Sequence, residues 1–403
     1  MSTITFAILK ERKSPPDHRV PLTPSQCVKL QEQYPAARVV VESSDVRIFT
    51  DEDYRAVGLE VTDDISHADV MLGVKEVPAE ALIPNKSYLF FSHTIKKQPY
   101  NRQLLKSILE KKIRLIDHET LVYANGSRVL GFGYYAGVVG AYNGMRTWGL
   151  KHGSYQIEKA HLLPNLKALH DQLSAIKLPA IKILLTGHGR VGKGAASILD
   201  QMNIKRVNMA DYLSQRFEEA VYCHVGSLDY NARIDGAPSS REDFYQHPEA
   251  YRSTFGAFSA VTDFFVAGHF YDDKAPFLFT REEAKSKDFK ISVVADVSCD
   301  IDGPVASTIR PSTIADPIYG YDPQTEQEVD FYLPHAIAVM AVDNLPCELP
   351  RDASQGFGND LLTKVIPCFF NNDVDGILQR AQITQNGQLT TRFSYLQDYV
   401  NKA

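Results

Sequence analysis

Cysteine is scarce and scattered. Cys27, Cys223, Cys299, Cys347 and Cys368 are odd in number and form no CxxC pair. That speaks against a disulfide scaffold or a cysteine zinc site and suits a reducing cytoplasm. Positive charge is in deficit, with 43 Lys and Arg against 49 Asp and Glu and a net charge of -6. A nucleic-acid partner needs a basic excess, so none is expected, although a local basic pocket for a small anion is compatible with these counts. No apolar run is long enough to span a bilayer. Residues 1–25 lack the charged-then-apolar pattern of a signal peptide. Internal repeats and low-complexity tracts are also missing. The expectation is a cytoplasmic globular protein that acts on a small molecule, with 403 residues giving room for two domains.

What is present is an alternation of apolar runs and helical segments. TFAILK (5–10), ARVVVE (37–42), ADVMLGV (68–74), SYLFFS (87–92) and IRLIDHE (113–119) read as strands. TPSQCVKLQEQY (23–34) reads as a helix with Thr23 as N-cap and Gln26 closing a capping box. QPYNRQLLKSILEKK is another helix candidate. Strands that are apolar on consecutive residues and separated by helices imply a parallel sheet covered on both faces. The glycine- and alanine-rich GFGYYAGVVGAYNGM (131–145) opens a long helix whose small residues would allow close packing between domains. A plain buried helix fits the same pattern. A second α/β unit follows, with strands at IKILLTG (181–187), KRVNMAD (205–211), AVTDFFVAG (260–268) and ISVVADVS (291–298). Residues 225–257 are polar and turn-rich, a surface excursion.

GHGRVG places Gly187, Gly189 and Gly192 in a GxGxxG pattern between a strand and a helix. That is the setting of a dinucleotide-binding loop. Gly187 permits the tight turn, Gly189 admits the pyrophosphate, and Gly192 lets helix and strand approach. Gly187, Gly189, Arg190, Val191 and Gly192 are therefore candidate cofactor-binding residues. Asp211 follows Gly192 by 211 − 192 = 19 residues, close to the ~20 expected of the acidic residue on the ribose 2′-hydroxyl. This favours NAD over NADP. Arg190 and Arg206 lie close enough in sequence to accommodate a phosphate instead, and Asp211 also suits a helix N-cap.

Two strand candidates end on titratable residues. ADVMLGV runs into Lys75 and Glu76, and SYLFFS runs into His93. Ligands bind at the carboxyl ends of parallel strands. A lysine partly withdrawn from water can act as a base, and a histidine can shuttle protons near neutrality. His93 alone is equally consistent with a satisfied polar group at a strand end. No second histidine stands at metal-ligand spacing beside it, so no metal is expected.

KERKSPPDHRVPLTP (10–24), GVKEVP (73–78), FFSHTIKKQ (90–98), RLIDHETL (114–121), GFGYYAGVVG (131–140), DVSCDIDG (296–303) and VDNLPCELPRDAS (342–354) together resemble the lysine-forming saccharopine dehydrogenase family. That family includes the lysine–ketoglutarate reductase half of the bifunctional aminoadipic semialdehyde synthases. Alanine dehydrogenases are more distant relatives with the same fold. The resemblance implies two Rossmann-like doubly wound domains with the active site in the cleft between them. It puts a substrate domain at 1–133 plus 335–403 and a dinucleotide domain at 134–334. It also implies that the chain ends where the reductase half ends.

The family's catalytic lysine and histidine fall on Lys75 and His93. Its other pocket residues fall on Arg19, Glu76, Lys96, Glu119, Arg128 and Asp343. The implied reaction is NAD-dependent cleavage of saccharopine to lysine and 2-oxoglutarate, reversible as reductive coupling. Saccharopine carries three carboxylates, which Arg19 and Arg128 would suit as bidentate partners, although surface salt bridges account for them equally well. An alanine-type amino acid dehydrogenase and a non-catalytic dinucleotide sensor remain the competing expectations.

Overall fold

The computed structural model describes residues 3–402. The chain divides into two compact units. The first runs to Phe132 and resumes at Pro350, and the second is Gly133–Leu349.

In the first unit, β1 (Ile4–Ile8), β2 (Ala37–Glu42), β3 (Glu60–Thr62), β4 (Val70–Leu72), β5 (Ser87–Phe90) and β6 (Arg114–Asp117) form one sheet. Its order is β3-β2-β1-β4-β5-β6 and every pairing is parallel. Both faces are buried. Phe6, Ile8, Val39, Leu72, Leu89 and Ile116 join one core cluster, while Ala7, Val40, Met71, Tyr88, Phe90 and Leu115 join another. Neighbouring residues thus enter opposite cores, which is why these strands are apolar without alternation. Helix α1 (Pro24–Gln33) starts after Thr23 in extended backbone, and the Thr23 N–H donates to Gln26 Oε1 at 2.9 Å. Helices α2 (Asp51–Arg55) and α3 (Arg102–Glu110) follow. The strand order reverses between β1 and β4, the switch point at which open α/β sheets bind ligands.

The second unit opens with α4 (Gly133–His152) and α5 (Leu166–Ser174). The glycines of α4 pack inside this unit. A Cβ on Gly137 would lie 1.9 Å from the Val191 carbonyl oxygen, and one on Gly144 would lie 2.6 Å from the Phe264 ring. Within this unit these small residues let α4 pack closely on the helix α6 (Arg190–Gln201) and the sheet.

That sheet comprises β7 (Lys182–Thr186), β8 (Lys205–Arg206), β9 (Val221–Val225), β12 (Phe264–Ala267), β13 (Val293–Asp296), β14 (Ile318–Asp322), β15 (Gln327–Val329) and β16 (Ile337–Met340). The short β10 (Asn231–Arg233) and β11 (Tyr251–Ser253) pair separately. The order is β15-β14-β16-β13-β12-β7-β9-β8, parallel except for the pairings of β14 with β15 and β16.

Three differences from sequence expectation matter. The strand expected at 205–211 is only Lys205–Arg206, because Asn208 caps a short helix, α7 (Met209–Ser214). The neighbour of β7 is β9, a strand not anticipated. Residues 335–349, expected with the first domain, run with the second unit, since β16 completes its sheet between β13 and β14.

Candidate functional site

The first unit gathers its charge at the carboxyl ends of β1, β4, β5 and β6. Glu11, Lys13, Asp17 and Arg19 follow β1; Lys75 and Glu76 follow β4; His93 and Lys96 follow β5; Glu119 follows β6. Glu11 is buried and clamps the end of β4. Its Oε1 accepts the Val74 N–H at 2.6 Å and its Oε2 the Lys75 N–H at 2.9 Å. The backbone of Lys75 is thereby fixed at the switch point. Asp17 and Arg19 form a buried bidentate pair, with Nε to Oδ1 at 3.0 Å and Nη2 to Oδ2 at 2.6 Å, and the guanidinium lies 4.1 Å over the Phe132 ring. Burial pushes the Asp17 carboxyl up, but the charge and hydrogen bonds of Arg19, aided by the charge of Lys75, hold it down to about 2.

His93 has a φ of 53°, a left-handed conformation uncommon outside glycine and asparagine. The turn is held from below. Asp117 accepts the Ser92 N–H at 2.9 Å and the Glu119 N–H at 2.7 Å, which ties the ends of β5 and β6 together. Such strained positions concentrate where a side chain must be aimed. His93 Nδ1 stands 3.5 Å from Glu76 Oε2, an ion-pair distance rather than a well-formed hydrogen bond. Lys13 donates to Glu76 Oε1 at 2.6 Å. Burial pushes Glu76 up, yet His93 and Lys13 outweigh it and hold the carboxyl down to about 2.

Glu119 Oε1 accepts from Arg128 Nη2 at 2.8 Å and lies 3.8 Å from Lys96 Nζ. The Lys96 and Arg128 side chains are 49% and 55% exposed, so these pairs are weak and open to exchange. Among the described residues, Glu119 Oε2 is buried with no hydrogen-bond partner, and Glu76 Oε2 has only its 3.5 Å contact with His93 Nδ1. An orphaned buried acceptor is costly, and an incoming ammonium or protonated amine would relieve it.

The expected residues Lys75, His93, Glu76, Lys96, Glu119, Arg128 and Arg19 all lie in this unit. Asp343 does not; it is exposed in the second unit. Glu11 and Asp17 are members that the sequence did not single out, although both fall in the KERKSPPDHR stretch. His118 is another. It is fully buried, its Nε2 meets the Gly73 carbonyl at 2.9 Å, and burial pushes its pKa down to about 4, so it is neutral.

Glu11 yields a test of its own. Burial, reinforced by the Asp17 charge, pushes its pKa from 4.5 up to about 8 against the two N–H donors. The folded chain therefore holds this proton more tightly than the unfolded chain. Its stabilising contribution is complete below the unfolded pKa and is lost as pH rises through about 8. Thermal midpoints should fall between pH 5 and pH 8, and Glu11→Gln should flatten that fall. An equally steep fall in the variant would show that another group governs it.

In the second unit the glycine loop joins β7 to α6. Gly187 has a φ of 91°, and a Cβ there would lie 2.4 Å from the Gly268 carbonyl oxygen. On Gly192 a Cβ would lie 1.6 Å from the Gly187 carbonyl oxygen. The backbone thus demands glycine at both positions. Gly189 differs, with a φ of -75° and a ψ of -165°, open to any residue, and nothing within 4 Å of a Cβ. No contact within the protein explains that glycine, whereas a pyrophosphate resting on the helix start does. Arg190 and Val191 are the first residues of α6. The loop fits a dinucleotide.

Asp211 is placed differently from expectation. It sits in the first turn of α7, where its N–H donates to Asn208 Oδ1 at 2.9 Å and its carboxylate accepts from Asn208 Nδ2 at 2.7 Å and Gln215 Nε2 at 2.6 Å. The preceding strand is β8, which is separated from β7 by β9. The carboxylate stabilises a helix start, and the preference for NAD that rested on it has no structural support.

The model of "Alanine dehydrogenase/PNT, N-terminal domain" matches residues 7–139, and that of "Alanine dehydrogenase/PNT, C-terminal domain" matches residues 168–395. The chain belongs to the alanine dehydrogenase/PNT family. It is 28% identical to an alpha-aminoadipic semialdehyde synthase of Arabidopsis thaliana over 96% of this chain and 41% of the synthase. Against the mitochondrial synthase of Bos taurus it is 29% identical over 97% of this chain and 47% of that protein. The chain thus spans less than half the length of these synthases. A saccharopine dehydrogenase [NAD(+), L-lysine-forming] of Neurospora crassa is 27% identical, with 87% of each chain covered. Among solved structures, an L-alanine dehydrogenase superposes with a TM-score of 0.66 at 18% identity, covering 98% of this chain and 99% of the other. That likeness concerns the fold.

Proposed function

We propose that this chain is an amino acid oxidoreductase that reductively couples lysine to 2-oxoglutarate with a nicotinamide dinucleotide and, in reverse, cleaves saccharopine. One observation carries the proposal: the end of the first sheet holds Lys75 and His93 together with two partly buried carboxylates, Glu76 and Glu119, and a rim of exchangeable cations. A substrate with several carboxylates and an amino group matches that charge pattern. The relatives named above include lysine-forming saccharopine dehydrogenases, which supports the same substrate class.

When bound, the dinucleotide exchanges a hydride with the carbon beside the substrate nitrogen. The chain's own residues manage protons and charge. Lys75 takes the proton from the secondary amine, because an ammonium has no lone pair to assist hydride loss. His93 then serves the water that adds to the imine and the collapse to two products, steps that need a group able both to accept and to donate. Glu76, held ionised, keeps His93 oriented. Lys96 and Arg128 exchange Glu119 for substrate carboxylates, and Glu119 turns to the α-ammonium of the lysine portion. Arg19 is committed to Asp17 and shapes the floor.

The assay follows the nicotinamide absorbance with lysine plus 2-oxoglutarate, and separately with pyruvate plus ammonia. Turnover in the first mixture is expected. Turnover only in the second would make this an alanine-type enzyme, and turnover in neither would favour a dinucleotide sensor. Arg128→Ala should raise the KM for 2-oxoglutarate about tenfold, the size of one charged hydrogen bond, and leave that for NADH or NADPH unchanged. An unaltered KM for the keto acid would remove Arg128 from the carboxylate site.

A further inference from the structure

His118 is a buried titratable group that the proposed chemistry leaves unused. It follows β6, is fully buried, and is neutral because burial pushes its pKa down to about 4. Its Nε2 meets the Gly73 carbonyl at 2.9 Å. A carbonyl only accepts, so Nε2 carries the proton and Nδ1 keeps a lone pair. Among the described residues, nothing donates to that buried Nδ1. A stranded acceptor is costly, so filling apolar space does not explain an imidazole here. The bond to Gly73 is what an apolar side chain would not supply.

Gly73 directly follows β4 and stands two residues before Lys75. The same stretch is gripped from the side of β1 by Glu11, which takes the Val74 N–H at 2.6 Å and the Lys75 N–H at 2.9 Å. In the sheet β4 lies between β1 and β5, so His118 reaches past β5 from the end of β6. Two side chains, one from each flank, thus hold the three residues that lead to Lys75. The His118 ring also meets Phe91 edge to face, with centroids 5.1 Å apart, and Phe91 stacks on His93 at 6.4 Å. Phe357 meets His118 at 5.1 Å and stacks on Phe132, the ring beneath Arg19. One imidazole is therefore joined by a hydrogen bond to the backbone behind Lys75 and by ring contact to the support of His93.

We propose that His118 is a positioning residue that sets Lys75 and His93 at their working separation, through the Gly73 carbonyl and the Phe91 ring, without touching substrate. The inference rests on the assignment of Lys75 and His93 as the acid–base pair. Loss of the Nε2 donor frees the Gly73 carbonyl, and the backbone before Lys75 is left with Glu11 alone as its side-chain clamp. The Lys75 ammonium then shifts relative to Asp17, whose carboxyl its charge helps to hold down. A misplacement of about 1 Å costs on the order of 100-fold in rate, so a movement too small to disturb folding is enough to slow turnover.

The test uses the whole chain and two substitutions of matched length. His118→Met suits the aromatic surroundings but brings no donor, whereas His118→Gln keeps an N–H donor at about the reach of Nε2. Competitive acylation read by peptide mass spectrometry needs no substrate and gives the reactivity of Lys75 relative to the exposed Lys205 of the second unit. In His118→Met that ratio should change at least about threefold and kcat with lysine plus 2-oxoglutarate should fall about tenfold, with native circular dichroism and an unchanged KM for the dinucleotide. His118→Gln should restore both to within about twofold, and in a Lys75→Ala background His118→Met should cost no more than about threefold, because the carbonyl then has no base to position. If His118→Met folds poorly, His118→Asn, too short to reach Gly73, takes its place. Native labelling of Lys75 without the donor would overturn the proposal, and so would equal losses in the Met and Gln variants, the mark of a side chain that only fills space. Altered labelling with native kcat would overturn it as well and would remove Lys75 as the base. Should the native chain turn over neither substrate mixture, the assigned reaction falls, while the labelling ratio still decides whether His118 positions Lys75.

Discussion

Lys75→Ala and His93→Ala will each lower turnover with lysine and 2-oxoglutarate by about two to four orders of magnitude, the usual contribution of one general acid–base group. The dinucleotide affinity of both variants will stay within about twofold of the native value, because the glycine loop folds in the other unit and neither substitution falls there. The two losses should not add fully, since both groups would act on one proton inventory. Lys75 differs from His93 in how it is held. Its backbone N–H is bonded to the buried Glu11, so its position belongs to the core of the first unit. His93 is placed by a left-handed turn over the Ser92–Asp117 contacts. Lys75→Arg should therefore fold normally and still lose activity, since guanidinium does not give up a proton in this range. Near-native rates in both alanine variants would show that the chemistry occurs elsewhere.

How much of this was readable from residues alone differs between the two units. In the first, strands buried on both faces are locally distinctive, and β1, β2, β4, β5 and β6 lie where apolar runs put them. Lys75, Glu76 and His93 were legible because a strand that ends on charge is a local pattern. Glu11 and Asp17 were not. The importance of Glu11 comes from a pairing of β1 with β4 across more than sixty positions of chain, which no spacing rule announces, and that of Asp17 from its buried pair with Arg19. The glycine loop was legible because strand, turn and helix are contiguous.

Asp211 was misplaced for a physical reason. Spacing from a glycine motif assumes that the next strand in sequence is the next strand in space. Here β8 is two residues long and β9 intervenes. The run VYCHV, aromatic and β-branched, was the signal for β9, but its place in the sheet is a tertiary fact. The same holds for β16, whose residues 337–340 fill the position beside β13.

Gly189→Ala and Gly192→Ala will separate ligand from fold. Both remove a glycine from the same loop, three residues apart, yet they face different constraints. At Gly192 the new methyl would overlap the Gly187 carbonyl oxygen at 1.6 Å, and that neighbour is backbone with nowhere to move. The clash must separate α6 from β7. Because α6 is also in backbone contact with α4 through Gly137 and Gly194, the second unit should be destabilised by several kcal/mol, as overpacking and backbone strain require. At Gly189 the methyl meets nothing within 4 Å and the backbone is already suited to alanine. The folded chain should keep its thermal midpoint, or gain slightly from the reduced freedom of the unfolded chain. Only a dinucleotide would encounter the methyl, at the point where its pyrophosphate must touch the loop backbone. Gly189→Ala should therefore weaken NADPH and NADH together, by about tenfold or more if one charge-assisted contact is displaced, and reduce turnover with no change in circular dichroism. A Gly189→Ala variant that binds both dinucleotides as the native chain does would leave the open space above this loop without a ligand.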